Sequence, residues 1–257
     1  MTYGVIGVGA IAAAIVTGLC ERAQDAPQIV LSPRNAGRAA ALASRFPMVH
    51  VADSNQAVID RSSVLLLCIR PQHARSVLAG LTFSREQPVV SMMAGISIEG
   101  LRELVAPAQN VARAIPLPSV AEREGATPIF PPTAAARSLF DRLGTSIEIP
   151  TEAAFEAMSA STATIAAHFA YLNAICRWLS AQGVSQSAAR RQVAASFAGL
   201  AQQLRGKETD FAELAREHAT AGGINEQFLA GLEQAGVFAA VDAGLDRVLE
   251  RLVRRST

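Results

Sequence analysis

Hydrophobic and polar positions along the first half of the chain follow two alternating periods. Short apolar runs predict strands at Tyr3–Ile6, Gln28–Leu31, Met48–Val51, Ser63–Ile69, Pro88–Met93 and Asn110–Ala114. Apolar residues at helical spacing between them predict helices over Ala10–Arg22, Ala36–Arg45 and Asn55–Asp60. The run at 63–69 is apolar throughout its centre, which is typical of a strand buried on both faces. Strands that alternate with helices predict an α/β domain with a doubly wound parallel sheet of the Rossmann type.

The second half has a different pattern, in which only helices are predicted. They cover Glu152–Gln182 as one long helix, Gln186–Leu204, a segment capped by Thr209 or Asp210, Asn225–Gln234 and Val237–Val253. The predicted organisation is a dinucleotide-binding domain at 1–150 and an all-helical domain for dimerisation and substrate binding at 151–257.

Composition narrows the class of protein. Hydrophobic residues make up 50% of the chain and the formal net charge is +1, so a large core is expected and a nucleic-acid or membrane-surface partner is not. The three cysteines are widely spaced, and no signal peptide or membrane-spanning run is evident, so we expect a cytoplasmic location. No metal-binding spacing occurs, and no Ser-His-Asp pattern suggests hydrolysis.

A glycine-rich turn directly follows the first predicted strand. Gly7, Gly9, Ala10 and Ile11 lie in a Gly-x-Gly-x-x-Ala pattern that opens the first helix. The first glycine permits a tight turn, the second lets a pyrophosphate approach the backbone, and the helix N-terminus favours the negative charge. We therefore expect these four residues to bind a dinucleotide.

The end of the second predicted strand indicates which dinucleotide binds. An NAD enzyme usually has an acidic residue there to accept a hydrogen bond from the ribose 2′-hydroxyl. This chain instead has Ser32 and Arg34, which suit a 2′-phosphate. The predicted cofactor is NADP(H), with NAD(H) as the alternative.

Four further segments give the chain its resemblance to a known family, the pyrroline-5-carboxylate reductases. These segments are Ile69-Arg70-Pro71-Gln72, the apolar strand that ends in Ala94-Gly95-Ile96, Arg113-Ala114-Ile115-Pro116, and Thr220-Ala221-Gly222-Gly223-Ile224-Asn225. The resemblance implies a reductase that transfers hydride from NADPH to the C=N bond of a small cyclic imino acid. It also implies a homodimer, or a larger ring of dimers, with interlocked helical domains.

The same resemblance assigns residues to the two ligands. Cofactor contacts are expected from Ile69, Arg70, Pro71, Ala94 and Gly95. Substrate contacts are expected from Thr220, Gly222, Gly223, Ile224 and Asn225. Backbone N–H groups of the two glycines would hold the substrate carboxylate.

Chemistry at the imine nitrogen is predicted for two residues. Asn225 stands where the family has a threonine and would orient the nitrogen, while His218 is the candidate acid. The chain also departs from the family at two segments: Leu117-Pro118 stands where the family has Asn-Thr, and residues 159–164 lack the glycines of the family's Ser-Gly-Ser-Gly-Pro-Ala motif.

Two other functions compete with this interpretation. A hydroxy-acid dehydrogenase would need a catalytic lysine, and the sequence contains a single lysine, Lys207. A non-catalytic NADP-binding protein is the other alternative, and the altered family motifs are the reason to consider it.

Overall fold

A computed structural model describes residues 1–21, 25–204 and 210–256, without the side chains of residues 255 and 256. The strands are β1 Thr2–Ile6, β2 Gln28–Leu31, β3 Val49–Val51, β4 Val64–Leu67, β5 Val89–Ser91, β6 Val111–Ala114, β7 Gly125–Phe130 and β8 Gly144–Glu148. The helices are α1 Ala10–Cys20, α2 Ala36–Arg45, α3 Asn55–Asp60, α4 Ala74–Leu78, α5 Ile98–Leu104, α6 Ala134–Asp141, α7 Glu152–Ser161, α8 Thr164–Ala181, α9 Gln186–Gln203, α10 Phe211–His218, α11 Ile224–Gln234 and α12 Val237–Ser256.

All eight strands form one sheet in the order β3-β2-β1-β4-β5-β6-β7-β8. The first six are parallel, β7 runs antiparallel to β6, and β8 is parallel to β7. The strand order reverses between β1 and β4, and their carboxyl ends flank the crevice where ligands bind in such sheets. The predicted α/β Rossmann-type fold is confirmed.

Helices cover both faces of the sheet and bury two apolar layers. One layer packs α1, α2 and α6 against the sheet, and it contains Ile15, Leu66 and Phe140. The other packs α3, α4 and α5, and it contains Leu65 and Leu101. Adjacent residues of β4 contribute to opposite layers, which explains why the whole strand is apolar.

The two strands that the sequence pattern did not predict, β7 and β8, lie at one edge of the sheet. Pro128 interrupts the centre of β7, and β8 is largely polar and only partly buried. Strand β8 is the edge strand and needs a hydrogen-bonded partner on one side only. Strand β7 lies between β6 and β8, but it pairs with β6 only through Ile129 and Phe130, so Pro128 lies beyond that pairing. Neither segment therefore shows the apolar run of a central strand.

The single long helix predicted over residues 152–182 is wrong. The chain forms two helices, α7 and α8, with a break at residues 162–163. The Thr164 hydroxyl donates to the carbonyl oxygen of Ser161 at 2.7 Å, and the Ala163 N–H donates to Ala160 at 3.0 Å. A hydroxyl that binds a nearby carbonyl competes with the regular helical hydrogen bonds.

The chain divides into two compact units, residues 1–159 with 249–257, and residues 160–248. The predicted domain boundary after residue 150 stays a prediction. In the second unit, α8 and α9 pack together, and His168 and Tyr171 place their rings 6.1 and 5.9 Å from that of Phe197. The Asp210 side chain caps α10, whereas the alternative cap Thr209 and the only lysine, Lys207, lie outside the described residues.

Candidate active site

The turn between β1 and α1 depends on glycine at two positions for different reasons. Gly7 has a φ of +93°, and a Cβ added there would lie 2.7 Å from the carbonyl oxygen of Cys68, the residue that follows the neighbouring strand β4. Gly9 has an extended backbone, and the nearest atom that a Cβ would meet is 4.0 Å away. Gly7 is thus required by the fold, whereas the space at Gly9 is open to a ligand.

Two side chains from the end of β2 brace this turn. The Ser32 hydroxyl accepts a hydrogen bond from the Gly7 N–H at 3.0 Å, and the Asn35 amide donates to the Val8 carbonyl at 2.8 Å. Asn35 adopts a left-handed backbone with a φ of +71°, which asparagine tolerates better than most residues. The β2–α2 loop and the glycine turn are therefore parts of one hydrogen-bonded structure.

A cavity of about 600 Å³ opens beside this braced turn, at the carboxyl ends of β1, β2 and β4. It is lined by Gly7, Val8, Gly9, Ala10, Ile11, Arg34, Asn35, Arg38, Cys68, Ile69, Arg70, His73 and Met92. Three of these are arginines, and none of the cavity-lining residues in the described structure is acidic. The charge and the open helix N-terminus both favour a phosphorylated ligand.

The structure brings together most of the predicted cofactor residues. Gly7, Gly9, Ala10, Ile11, Arg34, Ile69 and Arg70 all line the cavity. Pro71 begins a short 3₁₀ segment just outside it, and Ala94 and Gly95 form a turn after β5, with Gly95 at a φ of +69°. The roles of these residues stay predictions.

Ser32 lies elsewhere than its predicted role requires. Its side chain is 1% exposed and absent from the cavity lining, because its oxygen accepts the Gly7 N–H. The direct contact with a 2′-phosphate expected for Ser32 is therefore replaced by a supporting role in the turn.

Sequence reasoning missed other cavity residues, including Arg38, Asn35 and Cys68. Arg38 lies in the first turn of α2, four residues after Arg34, and that spacing was an available signal. Burial raises the pKa of the Cys68 thiol to about 12, so the thiol stays protonated at neutral pH and offers no nucleophile.

The predicted substrate segment lies in the second unit, at the start of α11. Gly222 has a φ of +72°, and Gly223 is the N-cap of the helix. The Gly222 N–H donates to the Glu226 carboxylate at 2.7 Å, and the Gly223 N–H donates to the Thr220 carbonyl at 2.8 Å. Both N–H groups thus have intramolecular partners in this structure, and the Gly222 N–H already accommodates a carboxylate, that of Glu226. The predicted binding of the substrate carboxylate by this segment stays a prediction.

The two predicted catalytic residues also have intramolecular partners; Asn225 belongs to this segment and His218 shortly precedes it. The Asn225 amide donates to the His218 carbonyl at 3.1 Å, and His218 Nδ1 lies 2.9 Å from the Leu214 carbonyl. A neutral His218 that donates from Nδ1 has no proton on Nε2. Both side chains and Ile224 are exposed.

Within the described ranges, no group of three or more His, Cys, Asp or Glu side chains is arranged to hold a metal ion. No single helix there is long and apolar enough to cross a membrane. Only α11 with α12 passes that test, as a pair bent by 52°.

A parallel sheet with an arginine-lined cavity at its glycine turn defines a dinucleotide-binding protein. Comparison with known families agrees: residues 2–95 match the model described as NADP oxidoreductase coenzyme F420-dependent, and residues 152–254 match pyrroline-5-carboxylate reductase dimerisation. The chain is therefore similar to the pyrroline-5-carboxylate reductases, whose dimerisation domain its second half matches.

Individual relatives resemble the chain along nearly its full length. Pyrroline-5-carboxylate reductase of Pseudomonas aeruginosa is 27% identical, over 96% of this chain and 93% of its own length. The crystal structure of the Streptococcus pyogenes 1-pyrroline-5-carboxylate reductase superposes with a TM-score of 0.83 at 25% identity, covering 99% of this chain and 98% of that one. A Plasmodium falciparum pyrroline carboxylate reductase with NADP bound has the same fold, with a TM-score of 0.82 at 16% identity over 100% and 98% of the two chains.

Proposed function

We propose that this protein is an NADPH-dependent reductase that converts pyrroline-5-carboxylate, or a close cyclic imino acid, to proline or its analogue. The observation that carries the proposal is the acid-free, arginine-lined cavity beside the glycine turn, in a chain similar to this family. Homologous proteins named as reductases of this substrate support the reaction class.

The cavity residues fit a dinucleotide in three ways. Gly9 leaves room for a pyrophosphate against the backbone, and α1 begins there without a side-chain cap. Arg34 and Arg38 supply positive charge where a ribose 2′-phosphate would lie, and the absence of an acid from the described lining disfavours NAD(H). NADP(H) is therefore the preferred cofactor of the proposal, with NAD(H) secondary.

The bound nicotinamide would supply the hydride, which adds to the carbon of the C=N bond while the nitrogen keeps or gains a proton. The protein would orient the substrate through its carboxylate, which displaces Glu226 from the Gly222 N–H. Asn225 would exchange its bond to the His218 carbonyl for one to the imine nitrogen, and His218 remains the candidate acid.

Dimerisation forms part of the proposal and is supported by the surface of the second unit. Phe169, Trp178, Phe211 and Ile224 are between 63% and 83% exposed, which is unusual for large apolar side chains of a monomer. A second copy of the chain would cover them, as a homodimer or a ring of dimers. The cysteines Cys20, Cys68 and Cys176 form no disulfides, which agrees with the proposed cytoplasmic location.

A matched pair of glycine variants tests the function. Gly9→Ala should fold normally because no protein atom would crowd its Cβ, yet it should lose NADPH binding because the methyl group occupies the space of the pyrophosphate. Gly37→Ala, on the exposed side of α2 with open space around it, is the control. NADPH oxidation should be followed with pyrroline-5-carboxylate and its six-membered analogue.

The outcomes separate the competing functions. Turnover by the native protein and Gly37→Ala, lost in Gly9→Ala, supports the reductase. NADPH binding without turnover of either imine favours a non-catalytic NADP-binding protein. The intramolecular hydrogen bonds of Gly222 and Asn225 are an observation in favour of that alternative. Turnover of a hydroxy acid instead would identify the dehydrogenase alternative.

A further inference from the structure

The buried side chain of Arg113, which lies in the sheet, has no role in the function proposed above. Arg113 on β6 is completely buried, and its guanidinium carbon lies 4.6 Å from the centre of the Phe155 ring. Its Nη1 group lies 2.7 Å from carboxylate oxygens of both Glu152 and Glu156 on α7. A buried cation without a paired charge would cost several kcal/mol, so at least one carboxylate is needed.

The two carboxylates are not equivalent. Glu156 is buried deeply, with a side chain 4% exposed, whereas the Glu152 side chain is 31% exposed. The oxygen of Glu152 that binds Arg113 also accepts the N–H of Ile98 at 2.7 Å. Glu152 therefore connects β6 to the first residue of α5.

Ile98 directly follows the loop of residues 94–97, which connects β5 to α5. Met92, at the start of this connection, lines the cofactor cavity. In a doubly wound sheet, the half that contains β4, β5 and β6 binds the second mononucleotide of a dinucleotide. The loop that Glu152 anchors is thus at the end of the sheet where the nicotinamide of the proposed cofactor is expected.

We propose that Glu152 is a positioning residue for hydride transfer: one carboxylate oxygen, held by Arg113, fixes the Ile98 N–H and with it the loop at 94–97 beside the nicotinamide. Glu156 supplies the charge that Arg113 needs, so the two acids divide the tasks of loop placement and charge compensation. The predicted effect on hydride transfer rests on the proposed function, whereas the predicted effect on the loop at 94–97 does not.

Three variants of similar volume separate these tasks. Glu152→Met removes the acceptor, Glu152→Gln retains an oxygen that can accept both bonds, and Glu156→Met removes a carboxylate from Arg113 but leaves the bond to Ile98. Glu152→Ala is a second non-accepting variant if Glu152→Met does not fold. Melting temperature records the general structural cost of each change.

The first readout needs no substrate. Hydrogen exchange of the peptide that contains residues 94–98 should accelerate in Glu152→Met and remain near the native rate in Glu152→Gln and Glu156→Met. Unchanged exchange in Glu152→Met would overturn the proposal, and so would equal acceleration in Glu156→Met.

The second readout is kinetic. Misplacing a reacting group by a fraction of an ångström to 1 Å lowers kcat by about tenfold or more, whereas NADPH affinity, held chiefly by the phosphates, should change little. Glu152→Met should show this loss of kcat with a larger deuterium isotope effect from 4-deuterated NADPH, and Glu152→Gln should restore kcat. A loss of kcat in Glu156→Met as great as that in Glu152→Met would refute the division of tasks. If the native protein turns over no imine, the proposed function fails, while the exchange experiment still decides the role of Glu152.

Discussion

Replacing the arginines at the mouth of the cavity should change cofactor choice more than overall binding. Arg34 and Arg38 both line the cavity and both are exposed. NADPH differs from NADH by the ribose 2′-phosphate, which these guanidinium groups are placed to contact. Arg34→Ala should therefore weaken NADPH binding and leave NADH binding nearly unchanged.

The magnitude follows from the exposure of the two side chains. A hydrogen bond to a charged group contributes about 1.5–3 kcal/mol, and solvent screening puts an exposed contact at the lower end of that range. A loss of about 1.5 kcal/mol corresponds to a roughly tenfold higher Kd for NADPH. Because both arginines would contact the same phosphate, the double variant should lose less than the sum of the single losses.

Quenching of protein fluorescence or isothermal calorimetry would give both dissociation constants for each variant. Arg45→Ala is the matched control, because Arg45 lies on the same helix, pairs with Glu21 and does not line the cavity. The assignment of a 2′-phosphate site would be wrong if Arg34→Ala and Arg34→Ala/Arg38→Ala weakened NADPH binding and NADH binding equally. It would also be wrong if they weakened the binding of neither cofactor.

Three further predictions test local structure. The Cys68 thiol keeps its proton to about pH 12 in the folded protein but loses it near its ordinary pKa of 9.0 when unfolded, so the free energy of unfolding should fall as pH rises between these values. Urea titrations should show a smaller fall for Cys68→Ala. Gly144→Ala should destabilise by about 2 kcal/mol or more, because its Cβ would lie 2.1 Å from a backbone oxygen; Gly80→Ala, with a positive φ but open space, should cost only about 1 kcal/mol. Asn35→Gly keeps the left-handed backbone but removes the bond to Val8, so NADPH affinity should fall while melting temperature changes little; an unaltered affinity would exclude the brace from cofactor binding.

The parallel sheet and its glycine turn were predictable because both leave local signals. A central strand buried on both faces must be apolar throughout, as β4 is, and a turn with φ at +93° needs glycine at residue 7. Strand β8 escaped prediction because an edge strand with a polar sequence has no such signal. The break between α7 and α8 coincides with a hydrogen bond from the Thr164 hydroxyl to the Ser161 carbonyl, and the helical spacing of apolar residues does not signal it.

The contacts of Ser32 and Arg113 could not be predicted because both are tertiary. The hydrogen bond between Ser32 and Gly7 spans 25 residues, and that between Arg113 and Glu152 spans 39. A serine at the end of a strand looks like a ligand contact, and an arginine within an apolar strand looks like part of a family motif. Only the folded structure shows that one braces a turn and the other binds two carboxylates inside the protein.

The hydrogen bond between Ser32 and Gly7 also limits which substitutions can change the cofactor preference. NAD-binding relatives of the Rossmann type commonly have an acidic residue at the end of the second strand, which is the position of Ser32. An aspartate there would remove the small hydroxyl that fits beside the Gly7 N–H and would bring a charge into a site that is 1% exposed. The residue at position 32 therefore affects both the geometry of the glycine turn and the choice between NADP(H) and NAD(H). A change of preference toward NADH is better made at Arg34, which is exposed and has no bond to the turn in the described structure.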